Sequence, residues 1–252
     1  RFAGVVPKKE FHSRIEQRLQ TNSGCGQAYR FDQLTVLFEL ANEDLGYDGD
    51  AVLHGISIGI SKGERVALVG ESGAGKSTLL SVLQDRYGGN TALIPQQAGL
   101  VRSLSVFHNV YMGSLHRHGA AYNLLNLAWP QKAEVARVRP IVERLGLGDK
   151  LFVPTGELSG GQQQRTAIAR AILQGGDAVL GDEPVSAADN HQSRVILAAL
   201  SETFTTVVLA MHDVDLALEF STRIVGIKDG GIALDAPAAE LTRSGLDFLY
   251  RK

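Results

Sequence analysis

Apolar positions along this chain alternate, cluster or recur at helical spacing, and each habit predicts a different element. Residues 34–40 (Leu-Thr-Val-Leu-Phe-Glu-Leu) are rich in strand formers. A polar stretch through Asn42, Glu43, Asp44 and Gly46 follows, then Tyr47 and a turn at Asp48-Gly49-Asp50. Ile56, Ile58 and Ile60 alternate, as one buried face of a strand does. After the turn Lys62-Gly63-Glu64, residues 65–69 form a short continuous apolar run, the pattern of a strand covered on both faces. A Gly-rich loop comes next, then a helix-like stretch over 76–84 and a short strand over 91–94.

From about 101 to 152 the spacing turns helical. Val106, Val110, Leu124, Leu125, Leu127, Val135, Val138, Val142 and Leu145 recur at three- and four-residue steps, and Pro130 and Pro140 read as helix starts. Beyond it the pattern predicts helices over 162–173, 192–200 and 214–220. Strands are predicted over 178–181, 206–211, 223–228 and 232–234, the last two joined by the hairpin turn Asp229-Gly230-Gly231, and short helices close the chain. Strands alternating with helices imply an α/β fold. Its sheet is mainly parallel with an antiparallel β edge, and a helical subdomain at about 101–155 is inserted. Residues 1–30 stand apart: Phe11, Ile15 and Leu19 would stripe a short helix among basic residues. They read as a loosely packed extension to a domain over 31–252, with a targeting peptide as the alternative and a secretory signal opposed by the lack of an apolar core.

Composition narrows the class without naming it. An apolar fraction of 44% and a charged fraction of 21% are ordinary for a globular domain, and 252 residues bury a sizeable core unaided. A formal net charge of -2 gives no global basic field for nucleic acid. The single cysteine, Cys25, suits a reducing compartment. No apolar run approaches the length of a membrane helix, so service to a membrane would mean docking onto other subunits.

Three motifs carry the chemistry. Gly70-Glu71-Ser72-Gly73-Ala74-Gly75-Lys76-Ser77 fits G-x-x-x-x-G-K-[ST] at every fixed position, between a strand and a helix. Glycines let the backbone N–H groups converge on a phosphate, the helix start adds its dipole, and Lys76 reaches the β- and γ-phosphates. Ser77 offers a hydroxyl to Mg²⁺, and Thr78 reaches the α-phosphate side. Residues 178–181 are an apolar strand running into Asp182 and Glu183, the first to hold Mg²⁺, the second to orient a water. Leu158-Ser159-Gly160-Gly161-Gln162 stands just before a helix and upstream of that strand, and its hydroxyl and free N–H groups make a second anion site.

This last motif resembles the LSGGQ signature of ABC ATPases, and the resemblance extends over about 34–252. It implies that Ser159, Gly160 and Gly161 cap the γ-phosphate of an ATP held by a second copy, so that a homodimer sandwiches two nucleotides head to tail. Gln96 resembles the Q-loop glutamine, which senses Mg²⁺ and the γ-phosphate, with Gln97 as its neighbour and rival. Ser186-Ala187-Ala188-Asp189 resembles the D-loop, although Ala188 and Asn190 replace the usual Leu and Pro. His212 resembles the switch histidine, and Tyr47 the aromatic that stacks on adenine, with Phe38 as its rival. The catalytic set so implied is Glu183, His212, Gln96 and Lys76. ATP contacts fall to Tyr47, 70–78, 159–161 and Asp189, and Mg²⁺ contacts to Ser77, Gln96 and Asp182.

The resemblance further implies transmembrane permease partners, engaged near 96–104, a solute-binding protein acting indirectly, and a place on the cytoplasmic face of the inner membrane. Glu183-Pro184-Val185-Ser186-Ala187, Leu115-His116-Arg117-His118-Gly119, Asn123-Leu124-Leu125-Asn126 and the tail at 246–251 are similar to the ATPase subunit of phosphonate importers. Amino-acid import and lipoprotein export are the alternatives within the family. A soluble ABC ATPase working on DNA or ribosomes would carry coiled-coil, zinc or tandem-cassette insertions that this short cassette lacks. A regulatory module without turnover is opposed by the intact Lys76, Asp182, Glu183 and His212.

Overall fold

The computed structural model describes residues 35–47 and 50–251, and the architecture below is that of these residues. The extension at 1–30, with Phe11, Ile15, Leu19 and Cys25, and Asp48-Gly49 of the anticipated turn lie outside the described residues.

Val36–Tyr47 (β1) and Asp50–Ser61 (β2) pair antiparallel as a separate two-stranded sheet, Phe38 opposite Ile60 and Leu40 opposite Ile58. β1 continues through the polar stretch from Asn42 to Gly46, which the sequence assigns to no element. Leu45 is buried between more exposed neighbours, so the inward alternation persists, and irregularities in register re-aim the strand. One falls beside Asn42, whose φ of 53° is tolerated by its short polar side chain.

The second sheet has six strands. Arg65–Val69 (β3) leads to Lys76–Tyr87 (α1) and Thr91–Ile94 (β4). The helical stretch comprises Val106–Tyr111 (α2), a 3₁₀ segment Met112–Arg117, Ala120–Ala128 (α3) and Lys132–Arg144 (α4). Gly160–Gln174 (α5), Ala178–Asp182 (β5), Asn190–Thr203 (α6), Thr206–Ala210 (β6) and Val214–Phe220 (α7) follow. Arg223–Lys228 (β7), Gly231–Pro237 (β8) and Arg243–Leu246 (α8) close the chain. The strand order is β4-β5-β6-β3-β7-β8, parallel throughout except for β8, which pairs antiparallel with β7. The hairpin between them turns at Asp229 and Gly230, with φ of 49° and 74°, the positive values a two-residue loop demands.

Alternation divides the interior into two layers. Val66 and Leu68 of β3 pack with Leu79, Leu80 and Leu83 of α1 and with the inner face of the β1–β2 hairpin. Ala67 and Val69 point the other way, into a core shared with α2, α4, α5 and α6. The helical stretch leaves and rejoins the core at one place. Ser105 and Pro154 form an isolated antiparallel bridge, and the Phe107 N–H donates to the Leu151 carbonyl at 2.8 Å. Buried Asn109 ties this junction: Oδ1 accepts from the Val101 N–H at 2.8 Å, and Nδ2 donates to the carbonyls of Leu104 and Ser105 at 3.1 and 3.0 Å.

One helical expectation is corrected, and one that holds takes an unexpected orientation. Pro140 lies inside α4 rather than at a helix start. It deprives the Ala136 carbonyl of its donor, but both residues are exposed, so that carbonyl faces solvent and the helix tolerates the loss. Leu124, Leu125 and Leu127 do lie on a helix, yet they face outward, 67%, 51% and 47% exposed. α3 turns its polar side inward because partners wait there. Asn123 accepts from the Tyr111 hydroxyl at 2.7 Å, and buried Asn126 accepts from the Gln131 N–H at 2.8 Å.

Candidate active site

The site gathers at the C-terminal edge of the parallel strands, where open α/β sheets bind ligands. The Gly-rich loop follows β3, Asp182 ends β5, and His212 and Gln96 stand two residues beyond β6 and β4.

Loop geometry explains its glycines. Gly70 has φ of 145°, and a Cβ there would stand 2.2 Å from the Ile227 carbonyl oxygen. Gly75, at φ 106°, presses so closely on Leu53 that a Cβ would meet its side chain at 2.5 Å. α1 begins at Lys76 with no side chain capping it, so the first N–H groups are left to meet an anion. Lys76 is buried and folds back over the loop, Nζ donating to the carbonyls of Gly70 and Glu71 at 2.8 Å each. Burial lowers its pKa, opposed by the nearby carboxylates of Glu183 and Asp182. Ser77 is exposed beside it and Thr78 is buried.

Glu183 and His212 meet: Oε1 and Nε2 are 2.5 Å apart. Glu183 sits at φ 53°, a conformation that costs a non-glycine residue about 1–2 kcal/mol. Its neighbours hold it there. The Glu183 N–H donates to the Ala210 carbonyl at 3.1 Å, and its own carbonyl accepts from Gln164 Nε2 at 2.6 Å and Ser186 Oγ at 3.0 Å. Asp182 Oδ1 is buried without a hydrogen-bond partner, which is costly unless a cation meets it. With the Ser77 hydroxyl close in sequence to the loop, the donors are hard oxygens, a set that fits Mg²⁺. Among the described residues no cluster of three or more His, Cys, Asp or Glu could hold a metal by itself. A magnesium ion here would draw its other ligands from phosphate and water.

A second exposed helix start lies at the beginning of α5. Ser159 caps it in a reciprocal box: its hydroxyl accepts from the Gln162 N–H at 3.3 Å, and the Gln162 side chain accepts from the Ser159 N–H at 3.0 Å. Ser159 and Gly160 are exposed. Gly161 approaches the loop before α6, where a Cβ would stand 3.0 Å from the Ala187 carbonyl oxygen.

The other expected residues make no hydrogen bond to this grouping among the described residues. Tyr47 ends β1, 53% exposed, whereas Phe38 is buried edge-on against Tyr87, which leaves Tyr47 as the exposed aromatic of the two. A cleft of about 490 Å³ borders Glu71–Ala74 and the β7–β8 turn, but neither Tyr47 nor Lys76 lines it. Gln96 and Gln97 are both exposed. Asp189 caps α6, Oδ1 accepting from the Gln192 N–H at 2.8 Å. Two residues escaped the sequence reading. Gln164 holds the Glu183 carbonyl, and Arg170 of α5 donates to the carbonyls of Gly99 and Ala98 at 2.9 and 3.0 Å, fastening the loop that carries Gln96. Burial lowers the Arg170 pKa. Gln164 abuts a motif that could have flagged it; an arginine on a helix offers no such signal.

A family profile described as ABC transporter matches residues 53–186. Phosphonates import ATP-binding protein PhnC 1 of Pseudomonas syringae pv. syringae is 38% identical over 232 aligned residues, covering 81% of this chain and 87% of that protein. Phosphonates import ATP-binding protein PhnC of Pseudomonas putida is 37% identical, with 79% and 84% covered. The fold matches the ADP conformation of an ATP-binding cassette of an ABC transporter, 21% identical with a TM-score of 0.67 over 86% of this chain and 98% of that one. It also matches a dimeric bacterial ABC transporter cassette, 24% identical with a TM-score of 0.68 over 80% and 98%.

Proposed function

We propose, from the premise that the chain belongs to the ABC transporter family of ATP-binding subunits, that it powers an importer as a head-to-tail homodimer. The chain binds and hydrolyses ATP. The observation that carries the assignment of roles is the 2.5 Å contact between Glu183 Oε1 and His212 Nε2 at the sheet edge shared with Lys76.

In this reading the β- and γ-phosphates lie on the N–H groups of 70–78, and Lys76 turns its ammonium from the loop carbonyls towards them. Ser77, Asp182 and Gln96 hold Mg²⁺, which neutralises phosphate charge. His212 fixes Oε1 of Glu183 and leaves Oε2 to orient the attacking water. Phosphoryl transfer asks mainly for such positioning and charge complementarity, so no covalent intermediate with the chain is required. Tyr47 stacks on adenine. The exposed start of α5, with Ser159, Gly160 and Gly161, is too useful an anion site to stay idle in a single chain; it caps the nucleotide of the second copy, with Asp189 at the seam.

The dimer drives transmembrane permease subunits from the cytoplasmic face of the inner membrane, with a solute-binding protein delivering cargo. Among the described residues no helix is long and apolar enough to cross a membrane. The names of the relatives support phosphonate as the solute. The test is reconstitution with the cognate permease. Phosphonate-loaded binding protein is expected to stimulate ATP turnover; stimulation by another loaded solute alone refutes the cargo, and full turnover by a strictly monomeric chain refutes the dimer.

A further inference from the structure

α3 is built inside out. Tyr122, Asn123 and Asn126 share one side of the helix and face the protein, where Tyr122 donates to Glu134 at 3.4 Å and the two asparagines make the bonds described above. The other side carries Ala121, Leu124, Leu125 and Ala128, all exposed, with Leu127 beside them and Trp129 just beyond, 76% exposed. Leu115, in the segment just before the helix, is also exposed at 42%, and its carbonyl accepts from the Asn123 amide at 3.0 Å. A globular helix normally buries such residues. Large apolar side chains grouped in water in this way are the kind of surface patch that marks an interaction site.

The exposed charged side chains next to the patch in the sequence have one sign. From Arg86 to Ala133 the sequence contains no Asp or Glu. Exposed His116, Arg117 and Lys132 rim the patch, and Arg117 spends its hydrogen bonds on the carbonyls of Leu173 and Gln174, so no carboxylate cancels it there.

We infer that α3 and Trp129 form a docking face for an anionic lipid surface. The outer side of α3 offers no polar side chain, whereas a specific protein interface carries about one hydrogen bond per 100–200 Å². A bilayer interface needs no such pairing. It takes leucines and tryptophan at the headgroup level and attracts a basic rim to anionic headgroups. The inference rests on how α3 packs and is independent of ATP turnover.

Trp129 is the one tryptophan of the sequence, so intrinsic fluorescence reads the face directly. With vesicles of phosphatidylcholine and phosphatidylglycerol in equal parts, the emission of the full chain shifts to the blue and the chain co-sediments. Both effects weaken with phosphatidylcholine alone and at high salt. Leu124→Gln with Leu125→Gln lowers the affinity for mixed vesicles about tenfold or more while ATP turnover stays near wild type. Should that variant fold poorly, Lys132→Glu leaves the leucines intact and lowers the affinity through charge. An unchanged emission with mixed vesicles, or equal binding to neutral ones, overturns the inference. So does a shift caused by purified permease in detergent and not by vesicles, which would give the face to a protein. Loss of ATP turnover in the wild-type chain would strike the ATPase reading and leave the lipid result standing.

Discussion

Replacing Glu183 by Gln separates binding from chemistry. The amide keeps the shape of the carboxylate and can still hydrogen-bond His212 at a longer distance, and the backbone at φ 53° is still held from Ala210, Gln164 and Ser186. Folding stability is therefore expected to change by less than about 1 kcal/mol. What the amide lacks is basicity. A positioned general base contributes about 10²–10⁴-fold, so the barrier rises by about 3–5 kcal/mol. The fall belongs in kcat, with KM for ATP little changed, because the phosphate loop and Lys76 are untouched. Steady-state phosphate release with size-exclusion chromatography in ATP reads both consequences: turnover nearly stops, and an ATP-loaded dimer accumulates. Turnover within a few-fold of wild type, or a raised KM at full kcat, would refute the role of Glu183.

Other perturbations test other parts of the site. Gly70→Ala drives a Cβ into the Ile227 carbonyl and is expected to displace the loop at a cost of about 2–4 kcal/mol; titration with a fluorescent ATP analogue should show binding lost while circular dichroism shows the fold retained. Arg170→Met removes both donors to Ala98 and Gly99, and is expected to lower stability by about 2–3 kcal/mol in urea melts and kcat more than nucleotide affinity. An unshifted midpoint would show that this tether is idle. The Arg86 guanidinium holds the Glu43 carboxyl below its usual 4.5, so the pair stabilises the chain fully above that pH and loses its effect as pH falls through the lowered value. Both groups are about one-third exposed, so Arg86→Met should cost well under 1 kcal/mol at pH 7, and the gap in melting temperature should narrow as pH falls below 4.5.

The grouping of Lys76, Asp182, Glu183 and His212 was legible because each residue is tied to a local signal. Gly70 and Gly75 are dictated by close backbone approaches, and the apolar strands ending at Val69, Asp182 and Ala210 fix the edge at which the chemistry appears. The orientation of α3 was not legible. Periodicity reveals that a helix has two faces, but which one is buried depends on what lies opposite. Here Tyr111, Glu134 and Gln131 satisfy the polar face from within. The length of β1 was hidden for a related reason, since only the pairing with β2 makes strand out of Asn42 to Tyr47. Pro140 misled because its rule concerns an unmet carbonyl, and an exposed one is met by solvent. Arg170 was invisible because its partners, the carbonyls of Ala98 and Gly99, are backbone groups that no side-chain pattern announces.

The bond from Gln164 to the Glu183 carbonyl bears on how such a chain can change over generations. The first turns of α5 and the backbone of Glu183 are one mechanical unit, joined at 2.6 Å. In the proposed dimer, a substitution that adjusts how α5 meets the second copy would also reset the backbone behind the carboxylate. On that reading, recognition and rate are expected to drift together, so that a new pairing would call for retuned chemistry in the same step.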